Sequence, residues 1–287
     1  MKNHLVETSA KLVKDFYKTR NKTAKKGDYG KLLVVGGSHI YTGSPALVSL
    51  AAYASGCDLV WNVAPERAAD AMASFSPDIM THPLKGDYLE KAHVKYILTL
   101  SERADAIVIG NGLGRDKDTT KAVLEIISRA SKPIVVDADA IKALIPENHK
   151  VLRGKNAVLT PHSYEMQMFS CRDVGTELQS RVAVAKELSG SLGITIVLKG
   201  NVDVIASNGR VAINKTGNPY MTKGGTGDTL AGVCGSLLAR GADSFSAAGA
   251  AAYINGLAGD LCAKYWGEGL TAYKMIDYIP KAIKAAL

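Results

Sequence analysis

The 287-residue sequence predicts an α/β protein of three layers, in which a mostly parallel central sheet is covered by helices on both faces. Short apolar segments typical of strands alternate with longer helical segments over most of the chain. These short segments are apolar along their whole length, as expected for strands buried on both faces. The last third, from about residue 226 to 287, is almost entirely helical in pattern.

The elements follow one another without a linker-like, low-complexity or repeated segment. An amphipathic helix is predicted over residues 4–20, and a hairpin over 203–214 with its turn at Ser207-Asn208-Gly209. The predicted strands between them are 31–35, 59–63, 106–109, 133–136, 157–159 and 194–198. The predicted helices are 45–56, 117–131, 138–145, 163–170 and 176–189. We therefore expect one domain over residues 27–287, preceded by an N-terminal helical extension over residues 1–26.

Charge and composition exclude several classes of protein. The net charge is +8, but residues 1–31 alone carry +6, which indicates a solvated basic face on the leading helix. A nucleic-acid reader would spread Lys and Arg over a recognisable reading element, so we expect no nucleic-acid partner. No apolar run is long enough to cross a membrane, and the N terminus lacks the apolar core of a secretory leader. The expected location is the cytoplasm.

The four cysteines, Cys57, Cys171, Cys234 and Cys262, are far apart in sequence and form no CxxC or Cys/His cluster. We expect free and mostly buried thiols, and no structural zinc site.

The strongest local signal is Lys223-Gly-Gly-Thr-Gly-Asp228, which opens a helix with one buried face. Free amides and the helix dipole make such a start an anion pocket, and the glycines allow a close approach to the backbone. A carboxylate in the first turn, here Asp228, is suited to take a proton from a hydroxyl that attacks a phosphate. The alternative is that Asp228 only caps the helix.

Two loops after predicted strands carry further candidates. Residues 110–114 have the pattern GxGxG, which is not the dinucleotide fingerprint and is either a pocket-lining turn or an inert one. His162 follows the strand at 157–159, and Glu165 falls in the first turn of the next helix. His162 is either structural or a ligand contact. Glu165 is either a partner of the helix dipole or a magnesium ligand through water.

Two more loops carry charged residues. Lys199 follows a strand and precedes a glycine, so it either reaches a nucleotide phosphate or is an ordinary surface lysine. Asp137 and Asp139 follow a buried strand, and they either face the active crevice or cap the helix from 138. The chain contains no GxxxxGK[ST], HExxH or GxSxG motif.

Together and in this order, these loops resemble the carbohydrate-kinase-like domain of the ADP/ATP-dependent NAD(P)H-hydrate dehydratases, within the ribokinase superfamily. The resemblance runs from about residue 27 to 285. It is carried by Gly36-Gly37-Ser38, Gly110–Gly114, Val136–Ala140, Thr160–Glu165, Lys199-Gly200 and Gly224–Asp228.

The resemblance implies an activity. ADP or ATP would phosphorylate the hydroxyl of (6S)-NADHX or NADPHX, and loss of phosphate would restore NADH or NADPH, usually with Mg²⁺. Asp228 would be the base and a substrate contact, and Ser44, Gly112 and His162 would contact the hydrated nicotinamide nucleotide. The adenine nucleotide would be bound by Lys199, Gly200, Asn201, Val202, Asp203, Gly224, Gly225, Thr226 and Gly227.

The sequence departs from the family pattern at several positions. Asn111 stands where proline is usual, Ser163-Tyr164 replaces Pro-Gly, Tyr220 replaces Gly, and Ser44 replaces a small apolar residue. The resemblance further implies a homotetramer. Because residues 1–26 are too short for the epimerase domain often fused to this family, we also expect a separate epimerase.

Two other hypotheses remain at this point. A small-molecule kinase of the same fold, acting on a sugar, hydroxymethylpyrimidine or thiazole alcohol, would share the glycine–aspartate turn. A nucleotide sensor or scaffold would keep the pocket but would not need Asp228.

Overall fold

A computed structural model describes residues 5–287. Its strands are β1 (Val6–Glu7), β2 (Lys31–Val35), β3 (Leu59–Pro65), β4 (Met80–Leu84), β5 (Ala106–Ile109), β6 (Ile134–Val136), β7 (Ala157–Leu159), β8 (Thr195–Leu198), β9 (Asp203–Ser207) and β10 (Arg210–Asn214). They form one sheet in the order β1-β10-β9-β8-β7-β6-β5-β2-β3-β4. All neighbouring strands are parallel except the pairs β8–β9 and β9–β10.

Helices cover both faces of this sheet, which confirms the predicted three-layer architecture. Alternate residues of one strand point into two different cores: Leu32 and Val34 pack into the first, and Leu33 and Val35 into the second. The helices are α1 (Ala10–Phe16), α2 (Ser44–Ala54), α3 (Glu66–Phe75), α4 (Val94–Ser101), α5 (Lys117–Arg129), α6 (Asp139–Ala143), α7 (Ser163–Ser170), α8 (Leu178–Leu192), α9 (Thr226–Ala239), α10 (Ser244–Trp266), α11 (Ala272–Ile276) and α12 (Ile279–Ala286). Side chains of α2, α9, α10 and α12 fill the first core, and those of α4, α5, α7 and α8 fill the second.

The leading helix is shorter than the sequence predicted. His4 lies outside the described residues, and residues 6 and 7 form a strand that pairs in parallel with β10. The Thr8 hydroxyl then donates to the Asn214 side chain at 2.8 Å, and Ser9 is the extended residue before α1. The prediction failed because pairing with β10 gives the backbone N–H and C=O groups of these residues hydrogen-bond partners, as a helix would. Periodicity along the chain does not reveal that a strand edge is available there. The division of the chain at residue 27 stays a prediction.

Three elements between residues 66 and 101 were absent from the predicted set, namely α3, β4 and α4. The sequence of β4, Met-Thr-His-Pro-Leu, lacks the apolar character of the inner strands. It pairs only with β3 at the edge of the sheet, where polar residues and a proline are tolerated.

The thiols are free, as predicted, and Cys171 is the exposed one among them. Within residues 5–287, no helix combines the length and the apolar character that a membrane crossing requires.

Helices α2 and α9 approach each other closely at Gly232. A Cβ built on this glycine would overlap the carbonyl oxygen of Val48 and lie 3.0 Å from the Cβ of Ala51. We expect Gly232→Ala to lower the free energy of unfolding by about 1–3 kcal/mol, since overpacking against backbone outweighs the better helix propensity of alanine. Urea denaturation measures this change.

Gly190 in α8 is the matched control, because nothing lies within 4 Å of its Cβ position. There the same substitution should raise the free energy of unfolding by up to about 1 kcal/mol. Equal effects at the two glycines would contradict the close packing of α2 on α9.

Candidate active site

The loops after the parallel strands β2, β5, β6, β7 and β8 meet the start of α9 at one edge of the sheet, as open α/β sheets generally arrange their ligand sites. A cleft of about 620 Å³ opens there beside Asp228. Its other lining residues are Ser38, Ile40, Tyr41, Ser44, Tyr88, Gly112, Gly114, Arg115, Asp116, Ala138, Asp139 and Lys142.

Asp228 lies in the first turn of α9, three residues after the N-cap Gly225. Gly225 has a φ of 95°, which favours glycine, and a Cβ there would also collide with Leu47 and Ala272. The Oδ1 atom of Asp228 accepts a hydrogen bond of 2.7 Å from the Nδ2 of Asn111, and the Ser44 hydroxyl faces the same carboxylate. The carboxylate is therefore held by groups outside its own helix and lines the cleft.

The environment of Asp228 weakens its acidity. Burial raises the pKa of Asp228 to about 6, and the neighbouring charge of Asp137 adds to this effect. Hydrogen bonding to Asn111 and Ser44 and the charge of Lys199 pull the pKa in the opposite direction. A pKa near 6 leaves a carboxylate that is ionised at neutral pH and a stronger base than an ordinary aspartate.

Asp137 is buried at the centre of a polar network. Its Oδ1 accepts hydrogen bonds from the Thr160 hydroxyl at 2.7 Å and from the Lys199 Nζ at 3.1 Å, and its Oδ2 accepts from Asn111 at 2.9 Å. Ala138, not Asp137, is the N-cap of α6. Of the two interpretations given for Asp137, the structure places the residue in the crevice network.

Asp139 has a different task from Asp137. It accepts hydrogen bonds from the Gly114 N–H and the Lys142 Nζ, at 2.9 and 2.8 Å, and lies 3.8 Å from the Nε of Arg115. It thus ties the 110–114 turn to α6. A Cβ at Gly110 would overlap the carbonyl oxygen of Asp137, so this turn needs glycine to reach the network.

Lys199 lies between the Asp137 network and the start of α9. Burial alone would lower the pKa of Lys199, but the charges of Asp137, Glu165 and Asp228 outweigh it and raise the pKa. A Cβ on Gly227 would lie 3.2 Å from the Lys199 Nζ, so this lysine faces the first turn of α9. A permanent ammonium beside a helix N terminus favours binding of a phosphate. Gly224, Gly225 and Thr226 complete this turn.

The predicted nucleotide residues 199–203 form one loop, and the structure shows what holds it. The buried Arg181 of α8 donates to the carbonyl oxygens of Leu198, Lys199 and Val202 at 2.7–3.1 Å. A Cβ at Gly200 would collide with this guanidinium. At the far end of the loop Asp203 accepts from the Gly200 N–H at 3.0 Å, and burial raises the pKa of Asp203.

His162 is the N-cap of α7 and forms a reciprocal capping box with Glu165. Its Nδ1 accepts from the Glu165 N–H at 3.2 Å, which in the neutral ring places the proton on Nε2. Burial lowers the pKa of His162, and this favours the neutral form. The ring is exposed but does not line the cleft, in contrast to Ser44 and Gly112.

Glu165 does not fit a direct metal ligand. Its side chain is buried, its Oε2 accepts from the His162 N–H at 3.0 Å, and the same oxygen lies 3.9 Å from the Lys199 ammonium. Nor do the His, Cys, Asp and Glu side chains of residues 5–287 form a group of three that could hold a metal ion. Magnesium is commonly held by phosphates and waters with one or two carboxylates, so these residues fit an ion that arrives with a nucleotide.

Sequence patterns missed several residues of this site. Asn111 stood out only as a departure from a family pattern, and Arg181 is a single cation inside a helical segment. Arg115, Tyr41 and Tyr88 line the cleft from loops and Lys142 lines it from α6, and their approach to one another depends on the complete fold. Arg115 ends the GLGR sequence of the 110–114 turn, but no local signal marks Lys142, Tyr41 and Tyr88, because spacing along the chain does not encode their proximity.

Similarities in sequence and in fold relate this chain to known proteins. Residues 32–281 match the family described as NAD(P)H-hydrate dehydratase. The bifunctional NAD(P)H-hydrate repair enzyme Nnr of Pyrobaculum aerophilum is 42% identical over 269 residues, which cover 93% of this chain and 53% of that protein. The chain thus spans about half the length of the first curated relatives that it matches.

Two further proteins match over nearly their whole length. The ADP-dependent (S)-NAD(P)H-hydrate dehydratase of Cenarchaeum symbiosum is 36% identical over 273 residues, 95% of this chain and 94% of that protein. The crystal structure of the ADP/ATP-dependent NAD(P)H-hydrate dehydratase of Bacillus subtilis, co-crystallised with ATP/Mg²⁺, superposes with a TM-score of 0.83 at 28% identity. That likeness covers 99% of this chain and 100% of the other.

The raised pKa of Asp228 has a consequence for stability. Between the ordinary pKa of 3.8 and the folded value of about 6, the native state binds more protons than the unfolded chain. The free energy of unfolding therefore falls as the pH rises through this window, and the whole penalty is present at neutral pH. Because the side chain is partly exposed, we expect Asp228→Asn to stabilise the protein by about 1–2 kcal/mol at pH 7.5.

The gain should shrink as the pH is lowered toward 4, which urea denaturation at several pH values measures. Asp139→Asn is the control, since it removes a carboxylate from the same cleft but breaks the pair with Lys142 and should give no stabilisation. An Asp228→Asn protein that is no more stable than the wild type at pH 7.5 would contradict the assigned environment.

Proposed function

The chain belongs to the NAD(P)H-hydrate dehydratase family, and we propose that it catalyses the ADP-dependent dehydration of (6S)-NADHX and NADPHX to NADH and NADPH. One observation carries this proposal. The carboxylate of Asp228 lies between a cleft of about 620 Å³ and the N-terminal turn of α9 beside Lys199. A hydroxyl in the cleft and a phosphoryl group at the helix would meet at this carboxylate.

In the proposed reaction the substrate occupies the cleft, where Ser44 and Gly112 flank Asp228, and it extends beyond the cleft lining to contact His162 on the loop after β7. Asp228 accepts the proton of the substrate hydroxyl while the hydroxyl oxygen attacks the terminal phosphorus of ADP, and AMP leaves. The C–O bond of the phosphate ester then breaks and inorganic phosphate leaves, and release of a ring proton to water restores the dihydronicotinamide double bond.

The nucleotide would lie against the 199–203 loop, with its phosphates between Lys199 and residues 224–227. The N–H groups of this first turn have no acceptor within the helix and point toward the negative charge. ADP rather than ATP as the donor is supported by the name of the Cenarchaeum symbiosum relative. The comparisons do not support the alternative of a small-molecule kinase.

Magnesium would enter with the nucleotide phosphates, and its chemistry when bound is to neutralise charge on the transferring group. Glu165 would contact that ion through water. The remaining proposals are that the enzyme works in the cytoplasm as a homotetramer and that a separate epimerase supplies the (6S) form. Two features support a repair setting: the relatives are named as repair enzymes, and some of them are bifunctional.

The test is the recovery of NADH absorbance from purified (6S)-NADHX, run separately with ADP and with ATP while AMP and phosphate are quantified. The proposal requires one AMP and one phosphate for each NADH formed. A stable phosphate ester made from a vitamin-precursor alcohol, with NADHX untouched, would instead establish the kinase hypothesis. Binding of nucleotide without any turnover would favour the sensor or scaffold hypothesis.

The nucleotide loop gives a second prediction. In Arg181→Lys a single ammonium replaces the guanidinium that donates to three carbonyl oxygens. We expect the KM for ADP to rise about 10-fold, equivalent to about 1.4 kcal/mol, while kcat and the KM for NADHX change little. Steady-state kinetics with each substrate varied in turn measure both constants.

Arg172→Lys serves as the control, because Arg172 is exposed and contacts Glu187 on the surface. It should leave all three constants unchanged. If Arg181→Lys raises both KM values equally, Arg181 does not act through the nucleotide loop.

A further inference from the structure

The proposed reaction assigns no role to Asn111, although this residue lies at the centre of the site. Its side chain is buried, with 1% of the residue exposed, between the two carboxylates of the site. Its Nδ2 donates to Asp228 Oδ1 at 2.7 Å and to Asp137 Oδ2 at 2.9 Å. Both protons of one amide group are thus directed at two different carboxylates.

The amide orientation follows from these contacts. In the reversed orientation Oδ1 would face both carboxylates, so only the orientation with Nδ2 between them gives hydrogen bonds. Oδ1 is buried and has no hydrogen-bond partner among the described residues. Leaving Oδ1 buried without a partner costs free energy. The amide keeps this orientation because it directs two N–H donors at the two carboxylates.

The other groups that face Asp228 do not replace this contact. Asp137 repels its charge, and Lys199 attracts it, but the Lys199 ammonium is bonded to Asp137 at 3.1 Å and lies near Glu165. Ser44 contributes one hydroxyl from α2. The cations of the cleft wall, Arg115 and Lys142, are directed at Asp139.

We propose that Asn111 is a positioning residue that keeps the Asp228 carboxylate ionised and directed at the cleft although the Asp137 carboxylate lies beside it. This rests on the proposed function, in which Asp228 is the base. A neutral donor suits the task better than a cation, because a lysine or arginine would form an ion pair with Asp228 and reduce its basicity. An apolar side chain would leave two carboxylates facing each other without a donor between them.

The experiment compares Asn111→Leu and Asn111→Asp with the wild type. Removing the donor should shift the acid limb of the pH profile of kcat to higher pH by about one unit. This is the size expected for the loss of one hydrogen bond to a charged group. The nearly isosteric Asn111→Asp should move it further, since it adds a third negative charge. kcat of Asn111→Leu should recover toward the wild-type value at high pH, where Asp228 ionises again.

Thr160→Val is the matched control. It removes a buried donor from Asp137, but this donor lies on the oxygen that faces away from Asn111. The acid limb should stay close to its wild-type position in this variant. A shift equal to that of Asn111→Leu would show that the whole network, and not Asn111, sets the ionisation of Asp228, and would overturn the proposal.

The ionisation of Asp228 can also be measured in the absence of turnover, from the pH titration of its ¹³Cγ NMR signal. This titration is recorded for the wild type and for the three variants. The titration must move upward in the order wild type, Asn111→Leu, Asn111→Asp. A uniform loss of kcat at every pH with an unmoved titration would show a merely structural role. If the wild type does not convert NADHX at all, the proposed function fails, while the titration still decides the role of Asn111. If Asn111→Leu does not fold, Asn111→Asp carries the same test.

Discussion

The proposed reaction requires the Asp228 carboxylate to remain ionised in a partly buried position, and the polar groups around it serve this requirement. Burial and the charge of Asp137 raise the pKa of Asp228 to about 6. Opposing groups limit that rise, namely Asn111, Ser44 and Lys199. The balance gives a base that is charged at neutral pH and yet basic enough to receive a proton, at a cost in stability that is common at functional sites.

The fold supplies this balance through the edge at which its parallel strands end. Asn111 follows β5, Asp137 follows β6 and Lys199 follows β8, and the order β8-β7-β6-β5 brings their loops side by side. Helix α9 packs on the sheet through Gly235, whose Cβ position lies 2.5 Å from Val108 and 3.1 Å from Leu32, and thereby delivers Asp228 to the same edge. The packing of α2 on α9 at Gly232 also sets Ser44 beside Asp228, so a backbone contact about one helical turn from the cleft contributes to its geometry.

Much of this could be predicted from the sequence, because local patterns encode it. Apolar segments identified the inner strands, and the turn before Asp228 identified the start of α9. The sequence patterns did not predict the polar edge strand β4 or the strand at Val6–Glu7, because partners elsewhere in the chain stabilise these strands. The roles of Arg181 and Asn111 were missed for a related reason. They depend on hydrogen bonds to residues that lie between 17 and 117 positions away in the sequence.

The most direct measurement is turnover of (6S)-NADHX with ADP by the Asp228→Asn protein, together with its affinity for ADP. The amide keeps the shape of the side chain but cannot accept the proton, so we predict a loss of turnover of about 100-fold or more with ADP bound at least as tightly as by the wild type. Turnover equal to that of the wild type would contradict the assignment of Asp228 as the base.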